Sequence, residues 1–510
     1  MQTVKKGIVG TAIGMVTLTL ISKILGFIRE MVLAAFFGAS YVVDSYVMAS
    51  TILSVLFGGI VIAISTVYMP MYSKIVEDKG QKKGDSFTSQ ILNLIVIITV
   101  VISIIGIFFS KPIVASFASG FVGETAQLTN IYIKIIFSYI IFSSVASILE
   151  AYLQYKGVFL PQIISGFFVS ISIIIFIIIS SYTSYYYLAF GMLLGYAIRL
   201  GIILKISQKN GFKFLKTKCI DKEVLKKIVY LAFPAFIGGY ITYINLFVDK
   251  TLASKLVEGS ISALNYASLL NTMIVSITIT ILSTIVYPKL TQANTLNQVD
   301  RFNLLSQTGI NLIIIIGVPF SLGAMIYAKP VISIIYERGA FDALATSMTA
   351  SAFRYYAAGL IFMAANDFVL KIYYSMSDTK TPMYCGIVSV IINIILSINL
   401  VETMQHNGLA LATSIALGVN SILLIVGLKL KYKNIYIMQS QMKIIKIVLS
   451  AIMSVFFSYI IFLSLNKIIL EIVTLSVSVS IAVIVYLLLL RICRIEEVMM
   501  LKKIIGKNKY

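Results

Sequence analysis

The 510-residue chain has no tryptophan, one histidine, three cysteines and eight prolines, and only 12% of its residues are charged. Each shortage excludes a class of chemistry. With His406 alone, imidazole-pair catalysis and most zinc sites are ruled out. Cys219, Cys385 and Cys493 are odd in number, far apart and in no ligand spacing, so neither a disulfide framework nor a transition-metal site is expected. Soluble domains are about a quarter charged, and a chain with half that share has too little polar surface to face water. Acid is scarcer than base, 20 Asp and Glu against 41 Lys and Arg, giving a net charge of +21. In a soluble protein that excess would point to nucleic acid. Here the basic residues gather in loops, where a membrane protein keeps them, and no nucleic-acid partner is expected.

What the chain has in abundance is hydrocarbon. Hydrophobic residues make up 59% of it, and the mean hydropathy is +0.98. A membrane-spanning helix needs roughly 20 apolar residues, and the apolar runs bounded by charge or turn residues make about fourteen such helices. The first six lie near 8–36, 43–72, 88–110, 128–153, 159–181 and 184–207. The next six lie near 228–254, 262–290, 307–328, 348–376, 381–401 and 407–430, and two more near 442–466 and 468–492. Continuous runs exclude an outer-membrane barrel, whose strands alternate. The expected fold class is an all-α polytopic membrane protein. The first run, behind Lys5 and Lys6, continues past residue 25 without a small-residue cleavage site, so it is kept as a helix and not a signal peptide. The 30 tyrosines must supply the interfacial belt.

Lysines orient the set. They cluster after the second helix (Lys74, Lys79, Lys82, Lys83), after the sixth (Lys209 to Lys227), after the twelfth (Lys429, Lys431, Lys433) and in the tail (Lys502 to Lys509). All four clusters follow even-numbered helices, which places both termini in the cytoplasm.

The chain also repeats itself at an offset of about 218 residues. Ile64 to Pro70 aligns with Leu282 to Pro288, Lys111-Pro112 with Lys329-Pro330, Ala49 with Ala267 and Ala35 with Ala253. At an offset of about 221, Tyr152 and Pro161 meet Tyr373 and Pro382. The repeat joins helices 1–6 to helices 7–12, in the same orientation because six is even. That is the parallel-repeat plan of an alternating-access transporter. The expected divisions are 1–210 (N-lobe), 211–227 (basic linker), 228–430 (C-lobe) and 431–510 (two extra helices and a basic tail).

Polar atoms concentrate in the equivalent helices 1, 2, 7 and 8. Helix 1 carries Lys23, Arg29 and Glu30, helix 2 Asp44, and helix 7 Asp249 beside Lys250. An Arg inside a membrane helix costs about 2.5–3.5 kcal/mol on insertion scales. Arg29 either snorkels at an interface or faces a cavity, where its fork would grip a phosphate. Asp249 is either an ion-pair partner of Lys250 or a ligand for a monovalent cation. Asn393 and Ser397, one turn apart, either supply further oxygens or pack helices.

Several segments resemble the MurJ (MviN) lipid II flippases of the multidrug/oligosaccharidyl-lipid/polysaccharide (MOP) exporter superfamily. They are Ser22 to Glu30, Phe37 to Ala39 with Asp44 to Tyr46, Glu258 to Ser260, Glu337 to Phe341, Tyr355 to Leu360, Asp378 to Pro382 and Gly408 to Ser414. The resemblance spans helices 1–12 in order. It implies a non-enzymatic carrier that moves undecaprenyl-diphosphate-linked peptidoglycan precursor from the inner to the outer leaflet of the bacterial cytoplasmic membrane, working among cell-wall synthesis proteins. It implies substrate contacts at Arg29, Lys23, Glu30 and Asp44, and a sodium site at Asp249, Asn393, Ser397, Leu409 and Thr413. No organic cofactor is implied; coupling would come from sodium or the membrane potential. The chain departs from the family in three places. The Arg pair expected within helix 2 is replaced in the stretch Val55 to Ile60, the Arg of helix 8 is Ser268, and the second carboxylate of the cation site is Ser397. Fewer cationic contacts leave the glycan open between lipid II and another polyprenyl-linked oligosaccharide, with a cation-coupled drug antiporter as the next alternative.

Overall fold

The computed structural model describes residues 2–215, 222–432, 434–436, 441–466 and 470–495, and these are helical almost throughout. In chain order the helices are α1 (Gln2–Phe37), α2 (Tyr41–Lys79), α3 (Gln81–Phe108), α4 (Ser110–Phe117), α5 (Gly123–Tyr155), α6 (Leu160–Tyr182), α7 (Leu188–Lys209) and α8 (Lys222–Ala253). They continue as α9 (Ser260–Thr295), α10 (Val299–Ile326), α11 (Ala328–Tyr336), α12 (Ala343–Ala358), α13 (Leu360–Ser375), α14 (Lys380–Met404), α15 (His406–Lys431), α16 (Gln441–Leu465) and α17 (Glu471–Ile492). Among the described residues ten helices are long and apolar enough to cross a membrane, or eleven when α12 and α13, bent by 45° at Gly359, count as one span. The multi-span helical class holds; fourteen goes beyond what length and apolarity establish for the described residues.

The repeat reappears as secondary structure. α2 and α9 are both long, at 39 and 36 residues, and each carries a proline inside, Pro70 and Pro288. The short helices α4 and α11 both contain the Lys-Pro pair, Lys111-Pro112 and Lys329-Pro330. The sequence reading gave neither of these its own helix. Pro161 and Pro382 fall in the first turns of α6 and α14, where a missing N–H costs nothing.

By contacts the chain divides into two units, Met1–Ser262 with Arg338–Phe341, and Ala263–Glu337 with Asp342–Tyr510. In the first unit α2 packs on α5 and α8, α7 packs on α5 and α6, and α6 also covers α1. Its core is aromatic: Tyr68 stacks on Tyr72 and Phe87, and Tyr152 sets its ring edge-on against Tyr72. In the second unit α14 packs on α15, α15 on α12 and α13, and α10 on α12 and α13. Leu290, Phe302, Phe368, Tyr373 and Leu424 fill its core. The aligned tyrosines have matching roles, since the Tyr152 hydroxyl donates to the Asn210 carbonyl and that of Tyr373 to the Leu424 carbonyl. α16 and α17 attach to this second unit through α10 and α11. There Tyr486 donates to the Ile315 carbonyl at 2.8 Å, and Tyr327 bonds Ser458 at 2.8 Å.

The inside–outside pattern is that of a chain solvated by lipid. On α3, Ile97, Val101, Ile104, Ile105 and Phe108 are 48–81% exposed, and they recur at helical spacing along one face. Thr88, Ser89, Thr99 and Ser103 of the same helix are buried. The first three of these bond their own i−4 carbonyls and Ser103 donates to the Phe137 carbonyl, so each of the four is satisfied within the protein.

Candidate functional site

In α1 two charged side chains form a pair. Arg29 donates through Nε at 3.0 Å and Nη2 at 2.6 Å to Oε1 of Glu30. The side chains are 28% and 9% exposed. Tyr46 of α2, which is buried, and Tyr196 of α7 lie within electrostatic range of the guanidinium. Lys23, by contrast, is exposed. Six residues of helix put it about 9 Å along the axis from Arg29 and about 120° around it, so the structure does not bring these two cations together.

Asp44 lies in the first turn of α2 and is 4% exposed. Its Oδ2 accepts from the Gly259 amide at 2.8 Å, and its Oδ1 accepts from the Ser262 amide at 2.8 Å and from the Ser262 hydroxyl. These amides open α9, whose N-terminal N–H groups have no intrahelical acceptor. The cap therefore comes from another helix. It is also reciprocated: Oε1 of Glu258, just ahead of α9, accepts the Tyr41 amide that opens α2 at 2.8 Å. The crossing follows the repeat, with Asp44 aligned to Ser262 and Tyr41 to Gly259. Lys250 of α8 lies within electrostatic range of both Asp44 and Asp249.

Two glycines close the same end of the first unit. Gly38 and Gly339 have φ of +61° and +60°, a region that excludes most side chains. The Gly339 Cα faces the Ala35 carbonyl and the Gly38 Cα faces that of Ala340, with no room for a methyl at either. The Ala340 amide then donates to Ala35 at 2.8 Å. The aligned contact on the other side has Gly120 donating to the Ser254 hydroxyl at 3.2 Å and Thr251 donating to the Phe117 carbonyl at 2.8 Å.

Four of the five expected cation ligands meet on α14 and α15. Ser397 donates to Asn393 Oδ1 at 3.2 Å, the Asn393 amide points to Thr413 Oγ1 at 3.4 Å, and Thr413 donates to the Leu409 carbonyl at 3.0 Å. Asn393 and Ser397 are 2% and 0% exposed. All the donor atoms are oxygens, which fit a hard alkali cation better than a transition metal. The fifth residue, Asp249, lies half-buried on α8 in the first unit. Among the described residues no three His, Cys, Asp or Glu side chains cluster as metal ligands do. His406 bridges α15 to α12 through the Met348 carbonyl at 3.2 Å and Ser351 at 3.3 Å.

Sequence reasoning missed two ion pairs. Arg199 of α7 is forked onto Glu150 of α5, and Lys431 at the end of α15 meets Asp378, ahead of α14, at 2.7 Å. Both were visible as charges at the ends of, or inside, apolar runs, but pairing them needs the tertiary fold. The α2 stretch without arginines presents Gly58 to the Tyr243 ring. Beside it a cavity of about 200 Å³ is lined by Ser54, Tyr139, Ser143, Ser144 and Tyr243.

The chain is similar to known proteins along most of its length. The family described as "Lipid II flippase MurJ" matches residues 33–504. A probable lipid II flippase MurJ of Buchnera aphidicola subsp. Acyrthosiphon pisum is 30% identical over 418 residues, 80% of this chain and 81% of that one. One from Rickettsia prowazekii is 29% identical over 416 residues, 78% and 79% of the two chains. Among solved structures, a lipid II flippase MurJ in an inward closed conformation superposes with a TM-score of 0.82 at 26% identity, covering 94% of this chain and 98% of that one. An inward-facing multidrug transporter of the MOP superfamily shares the fold, with a TM-score of 0.69 at 13% identity and coverage of 80% and 94%.

Proposed function

The chain belongs to the MurJ lipid II flippase family, and from that premise we propose how its residues carry out the transport. It is a lipid II flippase and not an enzyme, its substrate is a lipid-linked glycan, and it works within a membrane. The observation that carries the residue assignment is the Arg29–Glu30 pair, a guanidinium inside a membrane helix with part of its surface open. Arg29 engages the diphosphate in a bidentate fork, and Glu30 holds it in place between cycles. Lys23, exposed on another face of α1, adds long-range attraction. Asp44 works in the crossed cap, as a latch of the outer end, and releases α9 when that end opens.

In this reading both termini are cytoplasmic, following the basic clusters, and the span count is fourteen. α1, α8 and α9, at 36, 32 and 36 residues, join the eleven that stand on length and apolarity. The precursor moves from the inner to the outer leaflet as the two repeats alternate access. An inside-negative potential favours outward travel of the anionic headgroup by about 2.3 kcal/mol per charge per 100 mV. Sodium, bound by Asn393, Ser397, Thr413 and the Leu409 carbonyl, resets the carrier by returning inward.

The test is transport of labelled lipid II in proteoliposomes, in parallel with another polyprenyl-diphosphate glycan. Arg29→Ala should lower transport at least tenfold, and replacing sodium with potassium should slow the wild type severalfold. Full transport by Arg29→Ala would remove Arg29 from the site, and indifference to sodium would remove the coupling ion.

A further inference from the structure

The Arg199–Glu150 pair has no role in the transport steps above. Arg199 stands at mid-length of α7, with Nε donating to Glu150 Oε1 at 2.8 Å and Nη2 to Oε2 at 3.0 Å. The Glu150 side chain is 6% exposed and that of Arg199 is 21%. A guanidinium has five N–H donors. Two are used here, and among the described residues the other three have no hydrogen-bond partner.

A clamp between α5 and α7 does not require charge. Well-packed apolar side chains hold helices as firmly as a buried ion pair, because burying two charges costs much of what their attraction returns. The same interface already has such a contact, with Tyr139 and Tyr196 stacked at 4.5 Å and 7°.

The surroundings of Arg199 lead to the substrate residues. Its Cζ lies 5.8 Å from the centre of the Tyr196 ring, and Tyr196 is within electrostatic range of Arg29 and Tyr46. Arginines from α1 and α7 thus both lie near one tyrosine. Each is held by a single carboxylate, and each has its Nη1 group unpaired among the described residues. Tyr139, stacked on Tyr196, is also a wall of the 200 Å³ cavity, where the fully buried Ser144 hydroxyl has no hydrogen-bond partner among the described residues. Polar donors without acceptors therefore lie along this side of α5 and α7, in a chain whose α2 supplies no arginine between Val55 and Ile60.

We propose that Arg199 is a second anion contact: together with Arg29, which lies near the same tyrosine, it binds the diphosphate of the lipid-linked substrate, and Glu150 holds its guanidinium until the substrate displaces that carboxylate. The inference rests on the flippase reading. It predicts unequal effects from the two halves of one ion pair. Removing Arg199 takes away a ligand contact, whereas replacing Glu150 with an uncharged acceptor removes only a competitor for the guanidinium.

The experiment uses the full chain in lipid nanodiscs and measures binding of labelled lipid II, competition by inorganic pyrophosphate, and thermal unfolding. Arg199→Gln should weaken lipid II binding at least tenfold and blunt pyrophosphate competition, while Glu150→Gln stays within threefold of wild type or binds tighter. Arg199→Lys, which keeps the charge and loses the fork, should fall between; it is the variant to read if Arg199→Gln does not fold. If both Gln variants lower the unfolding temperature equally and the folded proteins bind lipid II as wild type does, the pair is a clamp and the proposal is overturned. A wild type that fails to bind lipid II would instead overturn the flippase reading.

Discussion

Asp44 shows how much one side chain can hold. It accepts three hydrogen bonds from residues more than 200 positions away, whereas Glu258 accepts one, at an exposed site. Hydrogen bonds to a charged acceptor contribute about 1.5–3 kcal/mol, and buried amides left without a partner carry the full desolvation penalty. Asp44→Ala should therefore lower stability by about 2–4 kcal/mol, and Glu258→Ala by under about 1 kcal/mol, measured by thermal unfolding in detergent. Equal losses would mean that the two caps are energetically alike. Asp44, Arg29 and Glu30 were legible in the sequence because a charge inside an apolar run is costly enough to need a reason. Their geometry was not. Arg29 and Glu30 are neighbours in sequence, so their pairing was at least suggested; the partners of Asp44 lie a whole repeat away, and no local spacing points to them. Glu258 is a loop residue, where charge is ordinary and carries no signal.

At the scale of elements, the bend at Gly359 is the clearest departure from the expected span near 348–376. A single apolar run encodes both α12 and α13, so hydropathy alone reads it as one helix. A Cβ on Gly359 would lie 2.9 Å from the Ser414 Cα on α15. The Ser414 hydroxyl also donates to the Tyr355 carbonyl at 2.7 Å, which supplies a donor where the ladder is interrupted. Backbone cannot yield as a flexible side chain does, so Gly359→Ala should cost about 1–3 kcal/mol. A Gly359→Ala protein with an unchanged unfolding temperature would show that α15 can shift to make room. The other expected runs each fall on a helix, and where they differ most the helix extends five to eight residues beyond the run at one end, as α2 does to Lys79 and α10 from Val299. The short α4 and α11 were not separable because their sequences are apolar like the spans they adjoin, and only the turn at the Lys-Pro pair marks them.

For the molecule as a whole, charge placement is the organising fact. The end of the second unit that carries Lys380, Lys429 and Lys431 also holds Asp378, outside the spans. Burial pushes this carboxyl up, but hydrogen bonds from Lys431, Thr381 and Tyr432 outweigh burial and hold it at about 2. An unfolded aspartate titrates near 3.9. With the folded value below the unfolded one, the contact's stabilisation is fully present above about pH 3.9 and is lost as pH falls through about 2. The difference in unfolding temperature between wild type and Asp378→Asn should therefore be constant from neutral pH down to about 4 and vanish towards pH 2. A difference that fades near pH 6 would assign the contact's pH dependence to another group. Composition had already placed the chain in a membrane; the distribution of the few remaining charges separated orientation signals from paired groups inside the helices. The second kind needed coordinates to be recognised as pairs.

The crossed caps also bear on how the protein is made. Asp44 is synthesised 215 residues before Gly259 and 218 before Ser262. At a ribosomal rate of 5–20 residues per second that is a wait of roughly 10–40 s. Throughout it the carboxylate has no amide to hold and α2 begins with an uncapped turn, so water or the insertion machinery must satisfy both. The first half is thus a client awaiting the second, and its maturation is timed by translation of the loop that precedes α9.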